Sequence, residues 1–374
     1  MRSSFLKEDV TLLLKDITGL VEPLATNERE KLIQSGVHYC EMLPLEYKPS
    51  EKYLAIYDRA LQLYSKATAD AIMEVSKKVI ARKGNGVVLV SLARAGTPIG
   101  ILMKRYLDKR YHLQVPHYSI SIIRGRGIDQ NAMHYILKNH RPQDILFVDG
   151  WIGKGAIFRE LKKELECFEG ILPEIAVVSD PANLTDLCGT HEDLLIASSC
   201  LNSTVSGLIS RTFLRSDIIG KEDFHGAAYY GELKNEDRTY EFIDTIEKLF
   251  VFDEDDPYFE KDADVLKGNK EKSDDERVEA VEKGLGVYNG MEEVTRICGK
   301  YEIGNINLVK PGIGETTRVL LRRVPWKILI AEEYRDSDEL CHIRRLAEEK
   351  EVAIEYIKLV NYKCCGLIKK MEDA

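Results

Sequence analysis

Two short segments set glycine and polar residues at the ends of apolar runs, where backbone N–H groups can turn toward an anion. Residues 145–157 read ILFVDGWIGKGAI. Gly150, Gly153 and Gly155 let successive N–H groups point inward, and the helix that opens near Ala156 offers its positive end. Asp149, at the strand end, is placed to accept hydrogen bonds from sugar-like hydroxyls, and Lys154 adds a point charge. Residues 87–100, VVLVSLARAGTPIG, form a second loop in which Ser91, Arg94, Ala95, Gly96 and Thr97 lie between a strand and a helix. Arg94 with the backbone there suits a pyrophosphate clamp. A glycine turn that serves packing alone would use the same residues.

A third polar concentration runs from Cys200 to Arg211, where Asn202, Ser203, Thr204, Ser206 and Ser210 surround Gly207. Such hydroxyl density suits a polar pocket, and a capped helix start would use it as well. His38, Tyr39, Cys40 and Glu41 form a compact polar group, as do Asp223 and His225 beside Gly226. The eight cysteines form no CxxC pair, so neither a zinc ribbon nor a redox motif is indicated and buried thiols are expected.

These loops need elements to hold them. The apolar strands expected at 87–90, 144–149 and 174–179 are short and uninterrupted, and helix-like runs follow at 99–106 and 157–167. Strands of this kind alternating with helices imply an α/β fold whose parallel sheet is covered on both faces, with ligands beyond the carboxyl ends of the strands. Residues 253–285 turn strongly charged and read as a solvated linker between a domain at 1–252 and another at 286–374. The second should be a small α/β sandwich, with helices near 291–301, 315–323 and 337–350 and strands at 326–331 and 352–359. Cys364, Cys365 and Gly366 are too closely spaced for a metal and should pack against its 315–323 helix.

Net charge is −9 over 374 residues, which argues against indiscriminate coating of nucleic acid. The acidic N-terminus, with no apolar run near the ~18 residues of a membrane span, leads to the expectation of a cytoplasmic protein without a membrane partner. Lys310, Gly314, Glu315, Arg318, Arg322 and Arg323 supply a local basic stretch at a helix start, suited to RNA; an amphipathic helix with surface arginines would look alike.

Residues 85–180 resemble the type I phosphoribosyltransferases, and the stretch from Tyr118 to Gly127, with Arg124, resembles their strand and mobile hood. That resemblance implies phosphoribosyl pyrophosphate as partner, Mg²⁺ as cofactor, and Asp149 and Arg94 as catalytic residues. The usual loop carries two adjacent acids, whereas here Asp149 stands beside Gly150. Longer stretches, SGVHYCEMLP from Ser35, SLARAGTP from Ser91, CLNSTVSG from Cys200 and KPGIGE from Lys310, resemble a bacterial stress family. It is described either as StiP or as a tellurite-resistance-associated phosphoribosyltransferase with a Pelota-type, L7Ae-like RNA-binding domain. The preferred expectation is therefore a transferase with an RNA-binding appendage. A non-catalytic ribose-phosphate sensor gating RNA is one alternative. The other is the cysteine protease of the StiP description, pairing Cys40 with His38 or Cys200 with His225, and Asp193 or Asn202 as orienter; no familiar protease signature surrounds any of these cysteines.

Overall fold

The computed structural model describes residues 1–252, 289–323 and 325–368, without the side chains of Thr26, Glu30 and Arg322. Its main sheet is built from β1 (Thr11–Leu12), β2 (Val88–Leu92), β3 (His117–Ile120), β4 (Ile145–Trp151), β5 (Ile175–Ser179) and β6 (Cys188–Thr190). They pair in the order β1-β3-β2-β4-β5-β6, every pair parallel. Every residue of β2 and β5 is buried, as uninterrupted β-branched and Leu-rich runs require when helices cover both faces. After β2 the chain first adds β3 on one side and then β4 on the other. The direction of winding reverses there, and the β2 and β4 loops flank the crevice that results.

The helix Glu51–Lys83 extends over one face. Its start is capped by Ser50 Oγ, which accepts from Tyr53 N at 3.4 Å, and its end by Gly84 at φ 70°. Ala71 of this helix lies so close to β6 that a Cβ on Gly189 would stand 2.2 Å from the Ala71 carbonyl oxygen, so only glycine fits. Its N-terminal half also meets the second domain: Tyr53 OH donates to the Leu321 carbonyl and Tyr64 OH to the Glu339 carbonyl.

The second domain has a mixed sheet of β7 (Val309–Pro311), β8 (Pro325–Ala331), β9 (Ala353–Ile357) and β10 (Cys364–Ile368), ordered β7-β10-β8-β9. Helices Gly290–Lys300, Ile313–Arg322 and Cys341–Glu349 accompany it. Cys364 and Cys365 lie in the strand β10, fully buried, and Gly366 lets Val319 and Thr316 of the Ile313–Arg322 helix approach.

A mixed α/β architecture with a parallel central sheet is thus present, and the five expected strands fall within two residues of those observed. The 337–350 helix is shorter than expected: a 3-10 turn at Asp338–Leu340, capped by Ser337, precedes Cys341–Glu349. Strands β7 and β10 were not expected: β7 is three residues long and ends in Pro311, and β10 carries Cys364, Cys365 and Gly366, which read as packing against the 315–323 helix rather than as a strand. The linker read at 253–285 lies outside the described residues apart from its neighbours. No described helix is long and apolar enough to cross a membrane.

Candidate functional site

The thiol–imidazole contact nearest to a reactive geometry is local. A 3-10 turn at Tyr39–Glu41 brings Cys40 Sγ to 3.0 Å from His38 Nδ1. The Cys40 backbone N–H also approaches Nδ1, at 3.4 Å. A donor aimed at Nδ1 places the ring proton on Nε2, so the lone pair facing the sulfur is that of a base. His38 and Cys40, a pair weighed from the sequence, are brought together by this helical turn. Burial pushes the Cys40 thiol up to about 11, while Arg126 pulls it down. Arg126 itself is held by Glu41 at 2.7 Å.

A second pair escaped the sequence reading. His191 Nδ1 lies 2.9 Å from the Asp180 carbonyl oxygen, which fixes Nε2 as acceptor, and Nε2 stands 3.4 Å from Cys188 Sγ. The spacing Cys188–x–x–His191 was a signal, but only the end of a strand brings the two round to each other. Burial raises the Cys188 thiol to about 12. Cys200 and His225 do not pair: His225 Nδ1 is 2.8 Å from Ser121 Oγ and its N–H donates to Asp129 Oδ2. Neither proposed orienter reaches His38. Asp193 accepts the N–H groups of Ile313 at 3.0 Å and Lys363 at 2.9 Å, and Asn202 Oδ1 accepts from Arg94 Nη2 at 3.1 Å.

The two glycine-bearing loops meet different fates. The one after β4 is covered by the second domain. Lys154 Nζ donates to the carbonyls of Ile306 at 2.6 Å and Val309 at 3.1 Å, and Tyr362 OH donates to the Gly153 carbonyl at 2.6 Å. Leu184 fills the cradle at Gly155, where a Cβ would stand 2.3 Å from its Cδ1. Ala156 begins the helix, and Asp149 Oδ1 accepts from Gly150 N at 2.8 Å. Burial raises the Asp149 carboxyl to about 6, with Arg318 across the interface opposing. Burial also lowers the Lys154 ammonium to about 8.

The loop after β2 stays open toward a cleft. Arg94 donates from Nη1 to the Ile209 carbonyl at 2.9 Å and lies 3.9 Å from Glu46. Around it Ala95 leads into the helix, while a Cβ on Gly96 would strike the Val148 carbonyl at 2.4 Å. Ser91 and Thr97 turn into the protein instead, 2.7 Å from His117 Nε2 and Ser119 Oγ respectively. The Arg124 N–H donates to Tyr39 OH at 3.1 Å, and its side chain is exposed on a two-stranded hairpin, Ile122–Ile123 with Gly127–Ile128.

The cleft has a volume of about 510 Å³ and takes its walls from both domains, with seven Lys or Arg against two Glu. Arg94, Asn202, Thr204 and Arg211 come from the first domain, and Lys310, Glu315 and Arg318 from the second. Ser203 Oγ and Thr204 Oγ1 are buried without a hydrogen-bond partner among the described residues. Arg211 stacks its guanidinium 5.8 Å from the centre of the Tyr39 ring, one residue from the dyad. Burial, then repulsion from Arg29 and Arg94, lowers the Arg211 guanidinium to about 10. Arg318 is paired with Glu315 at 3.2 Å and sits over Trp151. Gly314 packs on Ser199 at the domain contact. Among the described residues no three His, Cys, Asp or Glu side chains gather as a metal site requires.

Fold and site define a two-part α/β protein with a partly buried Cys–His pair and a cationic interdomain cleft. The family model for the "tellurite-like stress resistance cysteine protease StiP" matches residues 3–247, and that for the "PELOTA RNA binding domain" matches residues 288–370. A relative from Acinetobacter baylyi (strain ATCC 33305 / BD413 / ADP1), named "Cysteine protease StiP", is 32% identical over 383 residues, covering 98% of this chain and 94% of the relative. The chain belongs to the StiP family, and its C-terminal part matches a Pelota RNA-binding domain. These findings correct the preferred expectation: family and relative are both named for cysteine proteolysis and neither for phosphoribosyl transfer. With that reading goes phosphoribosyl pyrophosphate as the expected partner. The local reason is visible at Lys154, expected on a phosphate and found on two backbone carbonyls.

Proposed function

We propose that the chain is a cysteine-dependent peptidase with an RNA-binding appendage, Cys40 being the nucleophile and His38 its base. The observation that carries this is the 3.0 Å approach of Cys40 Sγ to His38 Nδ1. The resting thiol is held protonated, so its proton must pass to Nδ1 as sulfur attacks the scissile carbonyl carbon. The C–S bond forms and the carbonyl oxygen takes the negative charge. Collapse of that intermediate breaks the C–N bond, with Nδ1 returning the proton to the departing amine. Water then cleaves the thioester, giving one proton to Nδ1 and thence to sulfur.

Hydrolysis of unfolded casein by purified variants tests this. Cys40→Ala and His38→Gln should each lower the rate at least ~10³-fold, as loss of a nucleophile or its base does, and Cys188→Ala should leave it unchanged. The Cys188–His191 contact is the competing site, favoured by the fixed tautomer of His191. Full activity in Cys40→Ala with loss in Cys188→Ala would transfer the assignment there. Alkylation of Cys40 by iodoacetamide should keep accelerating from pH 9 toward 11, because a thiol raised to about 11 ionises only there.

A further inference from the structure

We propose that the interdomain cleft holds the terminal phosphate of a single-stranded RNA, gripped by both domains at once, with the terminal base stacked on Tyr47. The proposal rests on the RNA-binding reading of the second domain and adds where the strand ends. The excess of seven basic over two acidic side chains in the wall runs against the net charge of −9 of the whole chain. Such a concentration on an acidic protein calls for an anion.

Two of these cations are attracted by carboxylates that do not come within ion-pair distance, Glu46 for Arg211 and Glu315 for Lys310. Among the described residues neither Arg211 nor Lys310 makes an ion pair, although each lines the cleft, one from each domain. Thr204, 2% exposed, lines the same wall with a hydroxyl that has no hydrogen-bond partner among the described residues. A buried hydroxyl in the same wall as guanidinium and ammonium groups suits a phosphate oxygen, since phosphate accepts several hydrogen bonds at once.

Size separates an end from a duplex. A cleft of about 510 Å³ is of the volume that small ligands occupy, so it admits the last nucleotide of a strand and not a double helix. Tyr47 is 61% exposed and belongs to the same wall, which suits the stacking by which proteins hold unpaired bases. A terminal monophosphate also carries more charge than an internal phosphodiester, and so gains more from unneutralised cations.

Fluorescence anisotropy of the full chain with one short single-stranded RNA decides the matter. The RNA is prepared with a 5′-phosphate, with a 3′-phosphate, or with hydroxyls at both ends. One phosphorylated form should bind at least ~10-fold tighter than the hydroxyl form, the span of one strong charge-assisted contact. Arg211→Gln and Lys310→Gln, in separate domains, should each erase most of that difference. Tyr47→Ala should weaken all three RNAs alike. Equal affinity for all three would overturn the end-binding proposal while leaving RNA binding intact. Failure of every RNA to bind would overturn the RNA-binding reading itself. Uridine monophosphate binding as tightly as the phosphorylated RNA would assign the cleft to a small nucleotide and also overturn the proposal.

Discussion

The loops after β2 and β4 end neighbouring strands of one sheet and each leads through glycine into a helix, yet one lines a cleft and the other is sealed. Lys154 and Gly153 are tied to the second domain through Ile306, Val309 and Tyr362, whereas among the described residues Arg94 is tied within its own domain and presents the cleft wall. A loop built to turn N–H groups outward is equally suited to a ligand or to another domain's backbone, since both supply hydrogen-bond partners. What occupies it depends on which partner is covalently delivered nearby. The sealed loop is therefore a joint, and the open one is left to contact ligands.

The comparison can be broken most forcefully at the joint. Asp193→Ala would leave the N–H groups of Ile313 and Lys363 buried without an acceptor. It should cost about 2–4 kcal/mol, two orphaned donors partly offset by removal of a desolvated carboxylate, read as a lowered denaturant midpoint. The Asp193 carboxyl is itself raised to about 6 by burial, from an ordinary 3.8, so its share of stability is fully present below pH 4 and fades as pH rises through 6. Asp193→Ala should thus lose part of that pH dependence.

A smaller effect belongs to Lys154. Lys154→Met removes two donated hydrogen bonds and should cost roughly 1–3 kcal/mol near neutral pH. Its ammonium sits at about 8 when folded, against 10.5 ordinarily, so the folded state sheds that proton first. Wild-type stability should accordingly rise relative to Lys154→Met between pH 8 and 10.5, and a flat difference in thermal unfolding across that range would contradict the burial argument.

Least disturbed should be the open loop. Arg94→Gln gives up contacts to Ile209 and Asn202 and the 3.9 Å approach to Glu46 beside a solvent-reached cleft. Its stability change should stay within about 1 kcal/mol, measured by the same denaturant titration, while affinity for end-phosphorylated RNA falls. A large loss of stability there would mean that both loops are joints.

Much of this protein was legible before any coordinates. The apolar runs within the strands expected at 87–90, 144–149 and 174–179 fit a doubly covered parallel sheet, because each apolar residue needs burial on one face or the other. The Cys40–His38 contact was among the pairs weighed, since two residues' separation keeps them within reach in any compact turn. The seal over Lys154 was not legible, because its partners are backbone carbonyls more than 150 residues away, and carbonyls carry no sequence signature. The cleft was legible only as scattered parts: Arg94, Thr204, Arg211 and Lys310 each stood in a noted segment, but the segments lie on different elements. Local sequence determined the strands, the turns and the dyad, whose energies depend on neighbours along the chain. Which loop closes, which cations are gathered in one wall and where a cleft remains were decided when two domains packed together, for desolvation exists only after burial.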